Sequence, residues 1–148
     1  MLLTNQNIYN YAIKLNESFS DETQKLPIKL NFYLQKNKNT LFTLAQEIEN
    51  SQRQIVNTYG QRDEANGGQY LIDQNNIDAL TKELNDLFEL EQEVNIYKIN
   101  IDSMPDDLTL TTKQMDAIMF MIDYYFYGDM FTISPIFIKR ERRFIWLN

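Results

Sequence analysis

The 148-residue sequence contains no histidine and no cysteine, and these absences exclude several kinds of site. Without histidine, no side chain has an ordinary pKa near neutrality, and without cysteine there is no thiolate nucleophile. The usual protein ligands of zinc, haem and iron–sulfur clusters are missing as well. A disulfide scaffold is excluded. The remaining chemistry is that of carboxylates, lysines, hydroxyls and backbone groups, so we expect no catalytic residues, no metal and no cofactor.

Glycine is scarce, with four residues, and the glycine-rich motifs that hold nucleotide phosphates are absent. Neither G-x-x-x-x-G-K-S/T nor G-x-G-x-x-G occurs, and the nucleophile turn G-x-S-x-G is missing too. Nucleotide-dependent catalysis is therefore disfavoured. The strongest local turn signal is Asn66-Gly67-Gly68, which we interpret as turn geometry rather than as a binding loop.

Positive charge is scarce over most of the chain. Residues 1–138 carry 10 basic and 20 acidic side chains, whereas residues 139–148 carry 4 basic and 1 acidic. An acidic body repels phosphate, so general nucleic-acid binding is disfavoured. The apolar fraction of 43% is enough for one hydrophobic core, and no signal peptide is recognisable, so we expect a soluble protein of the cytoplasm.

No long hydrophobic run of the kind that spans a membrane is present. The most apolar long stretch, residues 117–138, contains Asp123, Gly128, Asp129 and Pro135. An ionised aspartate near the bilayer centre costs about 2.5–3.5 kcal/mol on insertion scales. The sequence therefore predicts no membrane span and favours an apolar surface that binds a partner.

Apolar residues at helical spacing predict two amphipathic helices before Gly60. The first covers residues 5–19 after an N-cap at Thr4. The second follows Pro27 for about thirty residues, a rod of roughly 45–50 Å at 1.5 Å per residue. Its predicted stripe consists of Leu30, Leu34, Leu41, Leu44, Ala45, Ile48, Ile55, Val56 and Tyr59, with Asn37 and Gln52 on the same side.

Two further helices and a strand follow. A β-hairpin or ordered loop within residues 61–73 leads to a third helix capped at Asn75 or Asn76, which should return antiparallel along the second. The alternation of Asn95, Tyr97, Ile99 and Ile101 predicts a strand over residues 94–101. Thr111 and Gln114 form a capping box for a fourth helix that Gly128 ends. Its predicted inward residues are Met115, Ile118, Met119, Ile122 and Phe126.

These elements predict an α-dominated α+β fold. We expect a long antiparallel helical hairpin with a β-hairpin tip, short flanking helices and a small C-terminal β element. The chain divides into a helical-hairpin domain over residues 1–127 and an aromatic and basic C-terminal arm over residues 128–148.

The C-terminal arm carries the candidate partner-binding residues. Its aromatic and basic side chains suit stacking on single-stranded nucleic acid, docking on an acidic protein surface or folding back on the chain's own acidic face. Docking within one molecule or between copies is favoured, because the acidic body opposes phosphate. The candidate residues are Phe131, Phe137, Lys139, Arg140, Arg142, Arg143, Phe144 and Trp146.

Acidic side chains cluster at Asp102, Asp106 and Asp107, and again between Glu83 and Glu93. Paired carboxylates can run acid–base chemistry or bind a hard cation, but only where they converge in a pocket. We interpret both clusters as solvated surface. A carboxylate–metal enzyme is the alternative, and it requires one of the three aspartates to meet a glutamate in a cleft.

Five segments resemble members of one protein family. They are Leu26-Pro-Ile-Lys-Leu-Asn-Phe-Tyr-Leu-Gln-Lys-Asn, Tyr59-Gly-Gln-Arg-Asp-Glu, Gly68-Gln-Tyr-Leu-Ile-Asp, Glu91-Gln-Glu-Val-Asn-Ile-Tyr-Lys-Ile and residues 110–122. Together they resemble small uncharacterised proteins encoded by tailed phages and prophages of low-GC Gram-positive bacteria. The resemblance covers about residues 2–123 and consists of structural signatures without a catalytic motif. After Asp123 the chain departs from the usual family ending.

The resemblance implies a phage accessory or virion-associated protein, and no enzymatic activity follows from it. The first hypothesis is a non-catalytic protein that acts by protein–protein contact, either virion-associated or an assembly factor, in the host cytoplasm or the virion. Self-association through the C-terminal arm belongs to this hypothesis. The alternative is a phage-encoded inhibitor of a host defence system that occludes a nucleic-acid-binding or effector site.

Overall fold

A computed structural model describes residues 1–20, 25–63 and 67–123. Within these residues the chain forms four α-helices and six short strands. The helices are α1 (Asn5–Ser18), α2 (Ile28–Tyr59), α3 (Ile77–Glu89) and α4 (Thr112–Ile118). The strands are β1 (Leu2–Thr4), β2 (Gly60–Asp63), β3 (Gln69–Ile72), β4 (Glu91–Glu93), β5 (Ile99–Asn100) and β6 (Ile122–Asp123). The helix-dominated α+β class predicted from the sequence is confirmed.

Helix α1 begins where the sequence predicts and ends within one residue of the predicted position. The Thr4 side chain caps it by accepting a hydrogen bond of 3.2 Å from the backbone N–H of Asn7. The helix buries Ile8, Ala12 and Leu15 against the core. Just before it, β1 pairs antiparallel with β4, with Thr4 opposite Glu91. This pairing has no sequence signal, because a three-residue strand is too short to show alternation.

Helix α2 is 32 residues long because neither glycine nor proline interrupts residues 28–59. At 1.5 Å per residue it spans about 48 Å. Pro27 precedes its first turn, and Gly60 follows its last residue in an extended conformation. A Cβ at Gly60 would meet the Cδ1 of Ile72, so a larger residue here would require the end of that side chain to move. The buried face comprises Leu30, Leu34, Asn37, Leu41, Ala45 and Ile48.

A β-hairpin follows α2 and leads to α3. Strands β2 and β3 pair antiparallel, from Gly60 opposite Ile72 to Asp63 opposite Gln69. The predicted cap position at Asn76 is confirmed, because α3 begins at the next residue, but the Asn76 side chain makes no capping hydrogen bond. The Asp73 carboxylate caps the intervening helical turn by accepting from the Asn75 N–H at 2.8 Å, and the Asn76 side chain instead donates to the Tyr59 carbonyl at 3.3 Å. This second bond ties the end of α2 to the start of α3.

The core lies where α1, α2 and α4 meet the chain between β4 and β6. Buried apolar residues fall within residues 3–48 and 94–122, and no described residue between 49 and 93 is buried. At the periphery Tyr11 stacks on Phe120 with ring centroids 4.1 Å apart. The apolar core comprises Leu3, Ile8, Ala12, Leu15, Leu30, Leu34, Leu41, Ala45, Ile48, Val94, Ile96, Ile99, Met115, Ala117, Ile118, Met121 and Ile122.

The predicted strand over residues 94–101 is largely wrong. Only Ile99–Asn100 forms a strand, and it pairs in parallel with β6. Before it Val94 and Ile96 are buried while Asn95 and Tyr97 are exposed, so the alternating set named from the sequence does not share one side with the buried Ile99. The reason is that α2 supplies hydrogen-bonding groups to this segment through a buried side chain, which removes the need for a neighbouring strand.

The capping box of α4 is confirmed, but its predicted extent is wrong. The Thr111 hydroxyl accepts from the Gln114 N–H at 3.2 Å, and the Gln114 side chain accepts from the Thr111 N–H at 3.0 Å. The helix ends at Ile118, because the chain then enters a helical turn and joins β5 through β6. Met121 is fully buried, whereas Met119, predicted to face inward, is 39% exposed. Phe126, Gly128 and the boundary at residues 127–128 lie outside the described residues.

Candidate protein-contact surface

The predicted C-terminal contact residues lie outside the described part of the chain, which ends at Asp123. Phe131, Phe137 and every basic and aromatic residue of the C-terminal arm therefore have no position here. The remaining candidates are the acidic clusters and whatever apolar surface residues 1–123 expose.

The acidic clusters are surface features. Asp102, Asp106 and Asp107 are exposed in the loop before α4, and the acidic side chains of α3 and β4 are exposed as well. Among residues 1–20, 25–63 and 67–123, no group of three acidic side chains comes close enough to share a metal ion.

Within the described part of the chain, three side chains have perturbed proton affinities, and each shift moves the pKa away from neutrality. Burial and a hydrogen bond to Glu49 raise the pKa of Tyr9. A 2.6 Å hydrogen bond to Glu83 raises the pKa of Tyr59. The Asp116 carboxylate, 2.8 Å from the Lys14 ammonium, raises the pKa of Lys14. Because all three groups keep their protons at pH 7, none is adapted to act as a general base.

The most distinctive surface lies on α2, opposite the face that enters the core. Ile28 is 90% exposed, Phe32 is 51% exposed and Phe42 is 57% exposed. At 100° per residue Phe32 points about 180° away from the mean direction of Leu30, Leu34 and Leu41, whereas Ile28 points about 140° away and Phe42 about 100° away. Helix α2 therefore carries a second apolar stripe, and this stripe faces solvent. We name the exposed Ile28, Lys29, Phe32, Lys36, Phe42 and Tyr97, together with the half-buried Tyr33, the aromatic–lysine face.

Three aromatic rings contact one another at the centre of this face. Tyr97 lies 6.2 Å from Phe32 in an edge-on arrangement and 5.8 Å from Tyr33, measured between ring centroids. Phe32 and Tyr33 are 6.0 Å apart. These separations are those of favourable aromatic pairs, which contribute about 0.5–1.5 kcal/mol beyond the area they bury. The cluster joins a helix to an extended segment 60 residues further along the chain.

Asn37 holds Tyr97 in this position from beneath. Its side-chain amide donates to the Tyr97 carbonyl at 3.0 Å and accepts from the Tyr97 N–H at 2.9 Å. The Asn37 side chain is fully buried and both its polar atoms are satisfied by this pair of bonds. A buried amide that meets a backbone N–H and C=O in this way imitates a strand pairing, and it attaches the Tyr97 backbone to α2.

Lysines border the rings. The Lys29 ammonium lies 5.8 Å from the Tyr33 ring centroid, and the Lys36 ammonium lies 5.6 Å from that of Phe32. Residues 25–46 contain four lysines and no acidic residue, whereas residues 47–123 contain 5 basic and 16 acidic residues. The aromatic–lysine face is therefore a positive surface followed by a strongly acidic stretch of chain.

A surface of opposite charge lies on α3 and β4. The six acidic side chains there are exposed, and Lys82 is the one basic residue between positions 78 and 93. Two apolar side chains flank them, Ile77 at 46% and Leu90 at 60% exposure. We name Asp78, Glu83, Asp86, Glu89, Glu91 and Glu93 the acidic edge.

Part of the aromatic–lysine face had a signal in the sequence. An acid-free window with four lysines is visible in a chain of net charge −7, and Ile28, Phe32 and Phe42 are out of phase with the core stripe of α2. No pattern in the sequence indicates that Tyr97 belongs to this face, because its position depends on the contact with Asn37. The net charge of a longer block conceals the window, because the acidic residues on either side outweigh its four lysines.

Comparison with known proteins assigns no family: no protein-family model, no curated protein and no solved structure matches the chain. No helix among the described residues is both long enough and apolar enough to cross a membrane. The chemistry of the exposed surfaces is therefore the basis on which a function can be inferred.

Proposed function

We propose that this protein is a non-catalytic phage protein that acts by contact with another protein, as a virion-associated protein or an assembly factor. The phage origin, and the location in host cytoplasm or virion, rest on the sequence resemblance. The contact role rests on one observation, the exposure of Ile28, Phe32 and Phe42 on the solvent side of α2. In the proposed architecture α2 and α3 form the long antiparallel hairpin, with β2 and β3 at its tip.

The composition of the aromatic–lysine face is that of a protein-binding surface. Interfaces are enriched in aromatic residues at their centres and have polar, charged rims. Here the rings of Phe32, Tyr33 and Tyr97 form the centre, while Lys29 and Lys36 lie at the edge. Because a continuous helix and the buried Asn37 already hold the rings, little conformational entropy is lost when a partner binds.

A protein partner fits this face better than single-stranded nucleic acid does. Bases stack on open aromatic surfaces, but each ring of this cluster already contacts another ring at 5.8–6.2 Å. The net charge of −7 also opposes the approach of a phosphate backbone. A protein partner that presents apolar and acidic side chains meets neither obstacle.

The test is partner capture from infected host cells, followed by binding measurements with the purified partner. We expect Ile28→Ser combined with Phe32→Ser to weaken binding by about tenfold or more, as removal of central interface side chains does. Leu71→Ser is the matched control, because Leu71 is 63% exposed but lies on β3, away from the face. Equal affinity of the double variant and the wild type would overturn the proposal.

A second candidate role is inhibition of a host defence system. The observation in its favour is the charge of residues 47–123, where 16 acidic side chains against 5 basic ones provide a surface that a nucleic-acid-binding site could accept in place of phosphate. The two roles differ in where and when the protein occurs. A virion protein is present in purified particles, whereas an inhibitor is absent from particles and is expressed early in infection.

A further inference from the structure

We infer that the aromatic–lysine face binds a second copy of this chain, whose acidic edge on α3 and β4 docks against it. The inference rests on the proposed function, because it names the partner of the same face. It is carried by the complementarity of two surfaces that one molecule presents at separate positions.

The two surfaces are complementary in charge, and their charges are not neutralised within the described chain. The window that contains the face has four lysines and no acid, and the acidic edge has six acids beside one lysine. Among residues 1–20, 25–63 and 67–123, Lys29 and Lys36 form no ion pair, and neither do Asp86 and Glu89. Surface charges that form no ion pair favour association with a surface of the opposite charge.

The two surfaces also agree in length and in their apolar contacts. From Ile28 to Phe42 the face extends about 21 Å along α2, and the 13 residues of α3 extend about 20 Å. Leu90, 60% exposed between Glu89 and Glu91, is the apolar side chain that the edge offers to the apolar stripe of α2. The contact is therefore a helix packed on a helix, held chiefly by lysine–carboxylate pairs.

The acidic edge does not cover the face of its own molecule. Among the described residues Lys29 and Lys36 pair with none of its carboxylates, and Phe32 stays 51% exposed. The Asn76 side chain bonds the Tyr59 carbonyl, and the Asn5 side chain bonds the Leu87 carbonyl at 2.8 Å, which secures both ends of α3. A contact between the two surfaces must therefore join two molecules.

The resulting contact is head-to-tail. Two aromatic–lysine faces would bring lysines against lysines, which like-charge repulsion disfavours. A contact between unlike surfaces leaves one face and one edge free at the ends of every complex, so assembly continues into a ring or a filament. This mode of growth is what a virion-associated or assembly protein requires.

The first experiment is sedimentation velocity of the full chain over a concentration series at low and high salt. We expect species larger than a monomer that grow with concentration and dissociate as salt screens the charges. A monomer at every concentration and ionic strength would overturn the inference.

The second experiment uses two variants, each of which loses one surface without gaining opposite charge. Phe32→Ser with Lys36→Gln removes the face, and Asp86→Asn with Glu89→Gln removes the edge. Each variant alone should associate about tenfold or more weakly than wild type. An equimolar mixture should form dimers and nothing larger. The intact edge of one variant binds the intact face of the other, and the two substituted surfaces that remain cannot bind a third molecule.

Asp107→Asn with Lys113→Gln is the control, since both residues are exposed and lie outside the two surfaces. If Phe32→Ser lowers the unfolding midpoint, Lys29→Gln with Lys36→Gln replaces it, because exposed ammonium groups contribute little to folding. Undiminished association of both surface variants, or a mixture that stays monomeric, would contradict the inference. The proposed function would survive that result if a phage or host partner still required Ile28 and Phe32 for binding.

Discussion

Two regions of α2 differ sharply in burial although their sequences show the same helical periodicity. In the core segments (residues 3–48 and 94–122), Leu30, Leu34 and Leu41 are at most 1% exposed. In the outer segment (residues 49–93), Ile55 and Val56 on the same helix are only half-buried. The first part of α2 contacts α1 and the chain around Tyr97, whereas the last part has α3 and the β-hairpin as neighbours. Periodicity therefore indicates which side of a helix turns inward, and the number of packed neighbours decides how deeply it is buried.

This difference has a consequence for stability and motion. Segments with few buried contacts open locally at a lower free energy than a packed core does. We expect the outer segment to exchange its amide hydrogens faster than the core segments. The acidic edge lies on this more weakly packed part, and the aromatic–lysine face lies on the rigid part.

The largest expected effect compares one leucine from each region. Leu41→Ala should lower the free energy of unfolding by about 2–5 kcal/mol, because Leu41 is fully buried and its removal leaves a cavity in the core. Leu84→Ala should cost about half as much, since Leu84 is half-buried on α3 and water can occupy the space. Urea denaturation followed by circular dichroism measures both. Equal losses would mean that the outer segment is packed as tightly as the core.

The next effect compares two asparagines of α2. Asn37→Leu should cost about 1–3 kcal/mol, because it keeps the volume but leaves the Tyr97 N–H and carbonyl without their partner. Asn57→Leu should have a much smaller effect, since Asn57 bonds the Tyr70 hydroxyl at an exposed site. Hydrogen exchange adds a local measurement: the Tyr97 amide should lose protection in the first variant and keep it in the second. Retained protection would show that Asn37 does not hold this segment.

A smaller effect is expected at the hairpin tip. Gly67 and Gly68 have φ angles of 74° and 77°, a region in which a Cβ costs about 1 kcal/mol. Gly68→Ala should be the more destabilising of the two substitutions, because its Cβ would lie 2.9 Å from the Arg62 guanidinium, whereas no atom lies within 4 Å of a Cβ at Gly67. Thermal unfolding of both variants provides the comparison. A larger loss for Gly67→Ala would contradict the described arrangement of Arg62.

The smallest effect should come from the aromatic–lysine face. Lys29→Gln with Lys36→Gln should change the free energy of unfolding by less than about 0.5 kcal/mol, as is usual for exposed positions. The same variant should weaken self-association. A large loss of stability together with the loss of binding would indicate that these lysines support the fold instead of a partner.

Much of the local structure could be predicted from residues close together in the chain. The Thr4 cap, the course of α1, the long helix α2 and the Thr111–Gln114 capping box are confirmed at their predicted positions. These features depend on interactions within one or two helical turns, where spacing and hydrogen-bonding groups are visible in the sequence. The place of Asn37 on the buried stripe was predictable for the same reason.

What only the tertiary structure decided depends on residues far apart in the chain. The inward phase of residues 94–97 was set by Asn37 on α2, and α4 ended early because Ile122 pairs with Ile99. The ring cluster of the aromatic–lysine face likewise needed Tyr97 to arrive beside Phe32. Helical spacing and capping act over a few residues, so the sequence by itself determined the helices and their apolar sides. Pairing across 23 to 60 residues depends on which surfaces pack together, and that is a property of the folded chain.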